Sequence, residues 1–525
     1  MTAAALPLSA AADRYRFKYI IAITVSLASV LELLDTSIVN VAIPHMMGNL
    51  GATLDQIAWV STGYIVANVI VLPITGWLSA YFGRRRYFAG SIALFTLASF
   101  LCGNAGSLGA LIFWRIVQGL GGGALLSTSQ AILYEEFPRE EYGTAMAIFG
   151  VGVMVGPTLG PTVGGWITDT YGWPWIFYIN IPFGMLALAL TMSFINDSRH
   201  QERSTRVDFV GLGLLAVGIG ALQTMLERGE RLDWWSSGQV RLLAITSALS
   251  LITFIWHELR TEDPVVDLRI LKSRQLAVGV VFGLVLGVCL YATVFVLPVY
   301  LQNIRNFTAN QTGLVILPGA LASAFTMAVM GRTTGKFDAR LSITAGVGIF
   351  ALSMWKHAHF TTESGMSDFF WPLIFRGVGL GLIFVPLTNL ALADLPMSKI
   401  PNGTGLFNLM RQLGGSIGIA LSATLLQRFT AIHRADLAAN ITPYAEATRE
   451  RLAAITQTLI ARGEVPAIAQ TKAIGFLNAI VTKQAMMLSF EQLFLLFGMV
   501  FVLSLALLPL MHKSRGVGSA GAGAH

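Results

Sequence analysis

The chain alternates windows of about 20 apolar residues with short polar connections, and it does so about fourteen times. The first window covers 17–44 and the last 488–511, with the seventh, eighth and eleventh at 208–227, 238–257 and 342–358. A run of that length crosses a bilayer as a helix, because a helix satisfies its own backbone groups in hydrocarbon. The pattern predicts an all-α polytopic membrane protein of 14 spans. Composition agrees, with 54% hydrophobic and 12% charged residues, where soluble proteins carry about 25% charged. The formal charge of +7 is scattered between the apolar windows and forms no patch for nucleic acid. On alternating sides, about 20 Lys and Arg fall in one set of connections and about 4 in the short connections opposite. The basic side should be cytoplasmic, with both termini on it. The first run is too long for a signal-peptide core and ends in Ile43-Pro44, so it should remain in the membrane.

An internal repeat divides the chain. GWLSAYFGRRR at 76–86 matches GRTTGKFDAR at 331–340, pairing Gly76 with Gly331, Phe82 with Phe337 and Arg85 with Arg340. FPREEYGTAM at 137–146 matches LPMSKIPNGTG at 395–405, and Gly156 and Gly160 fall on Gly414 and Gly418. These offsets of 255–258 residues exceed what six helices need, and the spans at 208–257 fill the excess. The expected organisation is a six-helix bundle at 1–200, an inserted helix pair at 201–262, and a second six-helix bundle at 263–525. The second bundle holds a long extracytoplasmic loop, 428–487, whose mix of Ala, Leu, Ile, Glu and Arg predicts one or two amphipathic helices.

Two carboxylates lie inside the first window, in LELLDTSIVNVAIP at 31–44. Glu32 and Asp35 are three residues apart and share a helix face. A carboxylate at that depth costs roughly 2.5–3.5 kcal/mol on insertion scales, so it needs a function or a partner. The chain has no P-loop, no G-x-G-x-x-G turn and no nucleotide-binding domain, which leaves the proton gradient as the energy source. A buried carboxyl group that binds and releases a proton can couple to that gradient. Asp35 is the expected coupling residue, with Glu32 as a relay or substrate contact. No cofactor is implied. The eight histidines lie in loops, tails or span ends, Cys102 and Cys289 lie singly in apolar segments, and no metal site or catalytic cluster follows.

Gly152, Gly156, Gly160 and Gly164 recur every four residues and form a smooth stripe, with Gly165 beside it. Pro157 and Pro161 remove backbone hydrogen bonds and should bend the same helix. A bent, smooth helix at an interface between bundles suits a gate. Arg115 and Gln118 share a face of the fourth span, and a guanidinium there requires an acidic or carbonyl partner. Arg376 and Arg411 raise the same question in the second half. Helical position puts Tyr64, Gln118, Tyr291, Phe295, Met327, Phe407, Asn408 and Arg411 on the wall of a substrate cavity, a lining suited to amphipathic molecules.

Several stretches carry a family resemblance. LDTSIVNVAIP at 34–44, GPTLGPTVGG at 156–165, WIFYINIPFG at 175–184, ERGERLDWWSS at 227–237 and NLMRQLGGSIG at 408–418 resemble the fourteen-span drug–proton antiporters of the major facilitator superfamily. The nearest likeness is the EmrB-type branch, the inner-membrane pumps of tripartite systems. The resemblance implies the major facilitator fold, proton-coupled export of hydrophobic or amphipathic drugs across a bacterial inner membrane, and a role for Arg115 in proton transfer. It implies two protein partners, a periplasmic membrane-fusion adaptor docking on 428–487 and an outer-membrane channel. A specific metabolite such as a fatty acid or siderophore is the alternative cargo, and a membrane-embedded sensor or enzyme the more distant one. The loop after the second span departs from the superfamily pattern. Gly76, Gly83, Arg84 and Arg85 are in place, but Ala80 and Tyr81 replace an Asp and a basic residue. A salt-bridge latch at that point is therefore in doubt, and Asp338 of the second copy is the candidate to share its role.

Overall fold

Polar residues at the rims start the helices and the apolar runs sustain them. Thr53 and Gln56 form a capping box, and the side chains of Ser107, Asp208, Ser273 and Asp338 cap four further helix N-termini. The computed structural model describes residues 17–198, 207–333 and 337–512. Both chain ends, the expected boundary at 200/201 and part of the second loop motif lie outside the described residues. The first half contains α1 (Lys18–Leu50), α2 (Leu54–Phe82), α3 (Arg84–Gly103), α4 (Leu108–Glu136), α5 (Tyr142–Tyr171) and α6 (Asn180–Phe194), the last preceded by a helical turn at Trp175–Tyr178. Then come α7 (Phe209–Arg228), α8 (Gly238–Arg260), α9 (Arg274–Asn303), α10 (Ala309–Thr333), α11 (Ala339–His357) and α12 (Met366–Leu392). The chain finishes with α13 (Ile400–Ala439), α14 (Glu446–Ala461) and α15 (Pro466–Leu503).

Among the described residues, 12 helices are long and apolar enough to cross a membrane, and α5 makes 13 when its two limbs count as one span. The limbs of α5 meet at about 40° between Met154 and Leu159, where Pro157 removes a backbone donor. The expected window at 342–358 is α11, which falls short of that hydropathy, so 12 or 13 of the 14 expected spans meet it among the described residues. Arg340 and Lys356 near its ends lower its hydropathy, and it packs between α12 and α15.

Packing divides the helices into two sets. In the first, α1 lies on α4 and α5, α2 on α4, and α3 on α4 and α6. In the second, α9 lies on α12 and α13, α10 on α12, and α11 and α13 on α15. The sets meet along α5 with α10 and along α2 with α13. The pair α7 and α8 sits outside both, with α7 against α2 and α13 at the seam.

At the end bearing the basic loops the two sets touch. Tyr134 Oη donates to Asn389 Oδ1 at 2.7 Å, and Asn408 Nδ2 donates to Gln130 Oε1 at 2.6 Å. A Cβ on Gly76 would overlap the Asn402 side chain, which is why the backbones approach so closely there. The structure is closed at this end. At the other end, α13 and α15 run on for 40 and 38 residues, roughly 60 Å each at 1.5 Å per residue. They therefore outreach a hydrocarbon core of about 30 Å, and α14 packs on α15. The 428–487 insertion is thus two helical extensions plus one separate helix.

Candidate proton and substrate site

Asp35 lies at the middle of α1 and is fully buried, where its carboxylate meets donors from two other helices. Arg115 Nη1 of α4 donates to Oδ2 at 2.5 Å. Gln118 Nε2 of α4 and Asn180 Nδ2 of α6 donate to Oδ1 at 3.0 and 2.9 Å. Ser99 Oγ of α3 accepts from both amides, at 3.2 and 2.9 Å, and donates to the Phe177 carbonyl. Arg115 Nε donates to the Val60 carbonyl at 3.1 Å and its guanidinium lies 4.1 Å from the centre of the Tyr64 ring. Four helices of the first half therefore converge on one negative charge. Protonating Asp35 would remove the charge that all three donors bind.

Glu32 lies one turn away and is also buried, with Asn68 Nδ2 donating to Oε1 at 2.9 Å. Its Oε2 has no partner, and the charge of Arg411 from the second half bears on it. Sequence reasoning named Asp35, Glu32, Arg115 and Gln118 but missed Asn180, Ser99 and Asn68. Asn180 and Asn68 were detectable as lone amides in apolar spans; Ser99 resembles many other small polar residues and gave no signal.

The glycine stripe faces α1. A Cβ on Gly152 would lie 2.9 Å from Val30 Cγ2, on Gly156 3.0 Å from Leu33 Cβ, and on Gly164 2.5 Å from an Ile38 side-chain carbon. On Gly160 it would overlap Ser37 Oγ, whereas Gly165 has 3.8 Å of clearance to Val41. The stripe thus lets α5 seat the helix that carries Asp35, rather than lining the contact with the second half. That contact uses another face of α5, where Gly150 lies under Met327 and Thr162 lies against Gly313. Pro157 faces a cavity, described next.

The cavity lies at mid-depth between the halves and is partly open, a cleft rather than an enclosed chamber. It is bounded by α5, α9, α10, α12 and α13, with Tyr291, Arg376 and Arg411 on its wall. The other residues expected at a cavity are placed elsewhere. Tyr64 and Gln118 belong to the Arg115 cluster, and Asn408 bonds Gln130 across the closed end. Phe407 packs on Gly283 and Met327 on Gly150, both fully buried, and Phe295 is half-buried.

The loop motif is a structural hub within the first half. Gly83 has φ +85° and lies beside Asp197, whose Oδ1 accepts from the Arg85 backbone at 3.0 Å. Arg84 is buried and bonds Glu135 at 2.5 Å and Glu136 at 3.2 Å. Asp338 caps α11 by accepting from the Arg340 backbone at 3.0 Å, a bond within its own half.

Among the described residues no group of His, Cys, Asp and Glu can hold a metal ion. The family profile of the Major Facilitator Superfamily matches residues 25–419. The chain is 35% identical over 506 residues to the fatty acid resistance protein FarB of Neisseria gonorrhoeae, covering 96% of this chain and 97% of that one. It is 34% identical over 512 residues to the multidrug export protein EmrB of Escherichia coli K12, covering 96% and 98%. The fold matches the solved structure of the human organic anion transporter MFSD10 with a TM-score of 0.58 at 13% identity, over 92% of this chain and 99% of that chain. It also matches that of the proton:xylose symporter XylE, with 0.57 at 14% identity over 95% and 97%. With a profile spanning most of its spans and relatives matched end to end, this chain belongs to the major facilitator superfamily, among its EmrB-type pumps.

Proposed function

We propose that this multi-pass membrane protein exports hydrophobic and amphipathic drugs across the bacterial inner membrane in exchange for protons, by alternating access. The observation that carries the reading is the Asp35 cluster, a buried carboxylate bound by Arg115, Gln118 and Asn180, in a sequence that carries no P-loop or G-x-G-x-x-G motif. The likeness to multidrug export proteins supports it. Proton arrival at Asp35 releases its three donors and loosens α1 from α4 and α6. Substrate and proton then oppose one another by the same free energy in either direction, as exchange requires. Glu32 serves as a relay between this cluster and the second half. The glycine stripe holds α1 close enough to α5 for the loosening to reach the α5–α10 seam.

The basic, closed end is cytoplasmic, so the described conformation is one sealed towards the cytoplasm, with both termini on that side. The bundles run 1–200 and 263–525, with 201–262 as the inserted pair. The extension made by α13, α14 and α15 projects into the periplasm and docks an adaptor that leads to an outer-membrane channel. A specific metabolite remains the second reading, favoured by the likeness to a fatty acid resistance protein. The test is uptake of a panel of dyes, drugs and fatty acids into inverted vesicles, with and without a pH gradient. Gradient-dependent uptake of several unrelated compounds supports the main reading. Uptake that persists undiminished without the gradient overturns proton coupling.

A further inference from the structure

Two buried guanidinium groups of the second half lack a carboxylate. Elsewhere the protein pairs such groups, Arg115 with Asp35 and Arg84 with Glu135 and Glu136. It must do so, because an unpaired cation at membrane depth is unfavourable. Arg376 is 7% exposed and makes no hydrogen bond or ion pair among the described residues. Arg411 is 1% exposed and reaches only the neutral oxygens of Tyr291 at 3.4 Å and Asn408 at 3.3 Å, while its Nε has no partner. Both line the cavity between the halves. So does Ser323, whose buried hydroxyl also has no partner. Glu32 is the carboxylate whose charge bears on Arg411, but it forms no ion pair among the described residues and already accepts from Asn68. Two cations and a free hydroxyl thus face a space whose remaining wall is largely apolar, including Met154, Val294 and Leu380.

We propose that this cavity binds an amphipathic organic anion, its carboxylate held by Arg376 and Arg411 and its apolar body lying along α5 and α9. The inference rests on reading the chain as an exporter and names the substrate class of that site. A planar guanidinium fork matches a carboxylate in two parallel bonds, which an ammonium does not. The site rejects lipophilic cations, because a second positive charge beside two buried guanidinium groups is repelled. Ester and acid of one chain length differ only in the charge, so they isolate its contribution.

The experiment uses full-length protein in proteoliposomes and measures binding of dodecanoate, its methyl ester, dodecyltrimethylammonium and 2-naphthoate. Dodecanoate should bind at least tenfold more tightly than the ester, and the cation more weakly than either. Arg376→Gln and Arg411→Gln should each bring the acid-to-ester ratio close to one, and Arg→Lys at either position should restore part of it. Comparable binding of both acids supports a general anion site, while a strong preference for dodecanoate supports a fatty-acid source of the carboxylate. Equal binding of acid and ester by the unaltered protein overturns the proposal without any variant. Proton-driven uptake of a neutral dye is measured in parallel. Its absence defeats the exporter reading, whereas its presence with equal acid and ester binding defeats this inference alone.

Discussion

Tyr134 and Asn389 are hydrogen-bonded at 2.7 Å and lie 255 residues apart, the same offset that relates Gly76 to Gly331 and Arg85 to Arg340. Tyr142 and Met397 repeat the relationship, again 255 apart and in contact at 3.7 Å. In this stretch the sequence repeat itself runs at 258 residues, so both contacts join the two halves three places out of exact correspondence. The Tyr134–Asn389 bond ties the closed end together, with Asn408 braced on Gln130 and Thr404 on the Ser127 carbonyl nearby.

Removing the Tyr134–Asn389 bond should favour the state open at this end. Tyr134→Phe deletes the donor and should cost about 1 kcal/mol, a roughly fivefold shift in the ratio of the two states. Spin labels at Tyr81→Cys and Phe337→Cys, exposed positions on opposite halves, report the change as a longer distance population. The native Cys102 and Cys289 are buried and should label poorly. An unchanged distribution would remove Tyr134 from the gate.

Asp35→Asn should abolish gradient-driven export and also destabilise the protein. The amide cannot titrate, and it leaves the Arg115 guanidinium buried without its counter-charge, a change that costs about 3–5 kcal/mol. The double variant Asp35→Asn with Arg115→Gln should recover most of the thermal stability and none of the export. Thermal unfolding in detergent and dye uptake in vesicles measure the two effects separately. If the double variant exports at the normal rate, this carboxylate is structural.

Gly160→Leu should separate α5 from α1 near Ser37, two residues from Asp35. Overpacking of this kind costs about 1–3 kcal/mol, and export should fall further than stability because the Asp35 donors lose register. Gly165→Ala has 3.8 Å of room and should leave both unchanged. Normal uptake by Gly160→Leu would mean that the close seat of α1 is dispensable.

Replacing residues 440–475 by a short Gly/Ser linker should spare the pump and weaken the cell. Arg434 and Asn478 bond at 2.9 Å, and Thr430 and Ser489 at 3.1 Å, so the cut ends are neighbours that a short linker spans. Uptake into vesicles should persist, while whole-cell resistance and recovery of an adaptor by co-purification should fall. Unchanged resistance would make the extension a cap.

The sequence discloses far more of the fold than of the site. The apolar windows locate the helices because hydropathy is local, and the proline at 157 marks the bend of α5. Asp35 and Arg115 stand out for the same reason, as charges where hydrocarbon should be. That they pair could not be read, because their 80-residue separation says nothing of distance. Asn180 was visible only as one polar residue in an apolar stretch. The glycine stripe was legible as a close contact, but its partner was not, since small residues fit α1 as well as the opposite half. Arg376 and Arg411, on different helices, look like isolated oddities until the cavity joins them.

In the proposed proton exchange, a substrate held by the two unpaired guanidinium groups also sets how much charge each transport cycle moves. For one proton taken in per molecule released, a lipophilic cation leaves with its charge cancelled and feels no membrane potential. A neutral drug moves one net charge inward. An organic anion moves two, because its own negative charge travels outward with the field. Each charge is worth about 2.3 kcal/mol per 100 mV. An acid seated on Arg376 and Arg411 would thus still be expelled when the pH gradient has collapsed and only the voltage remains.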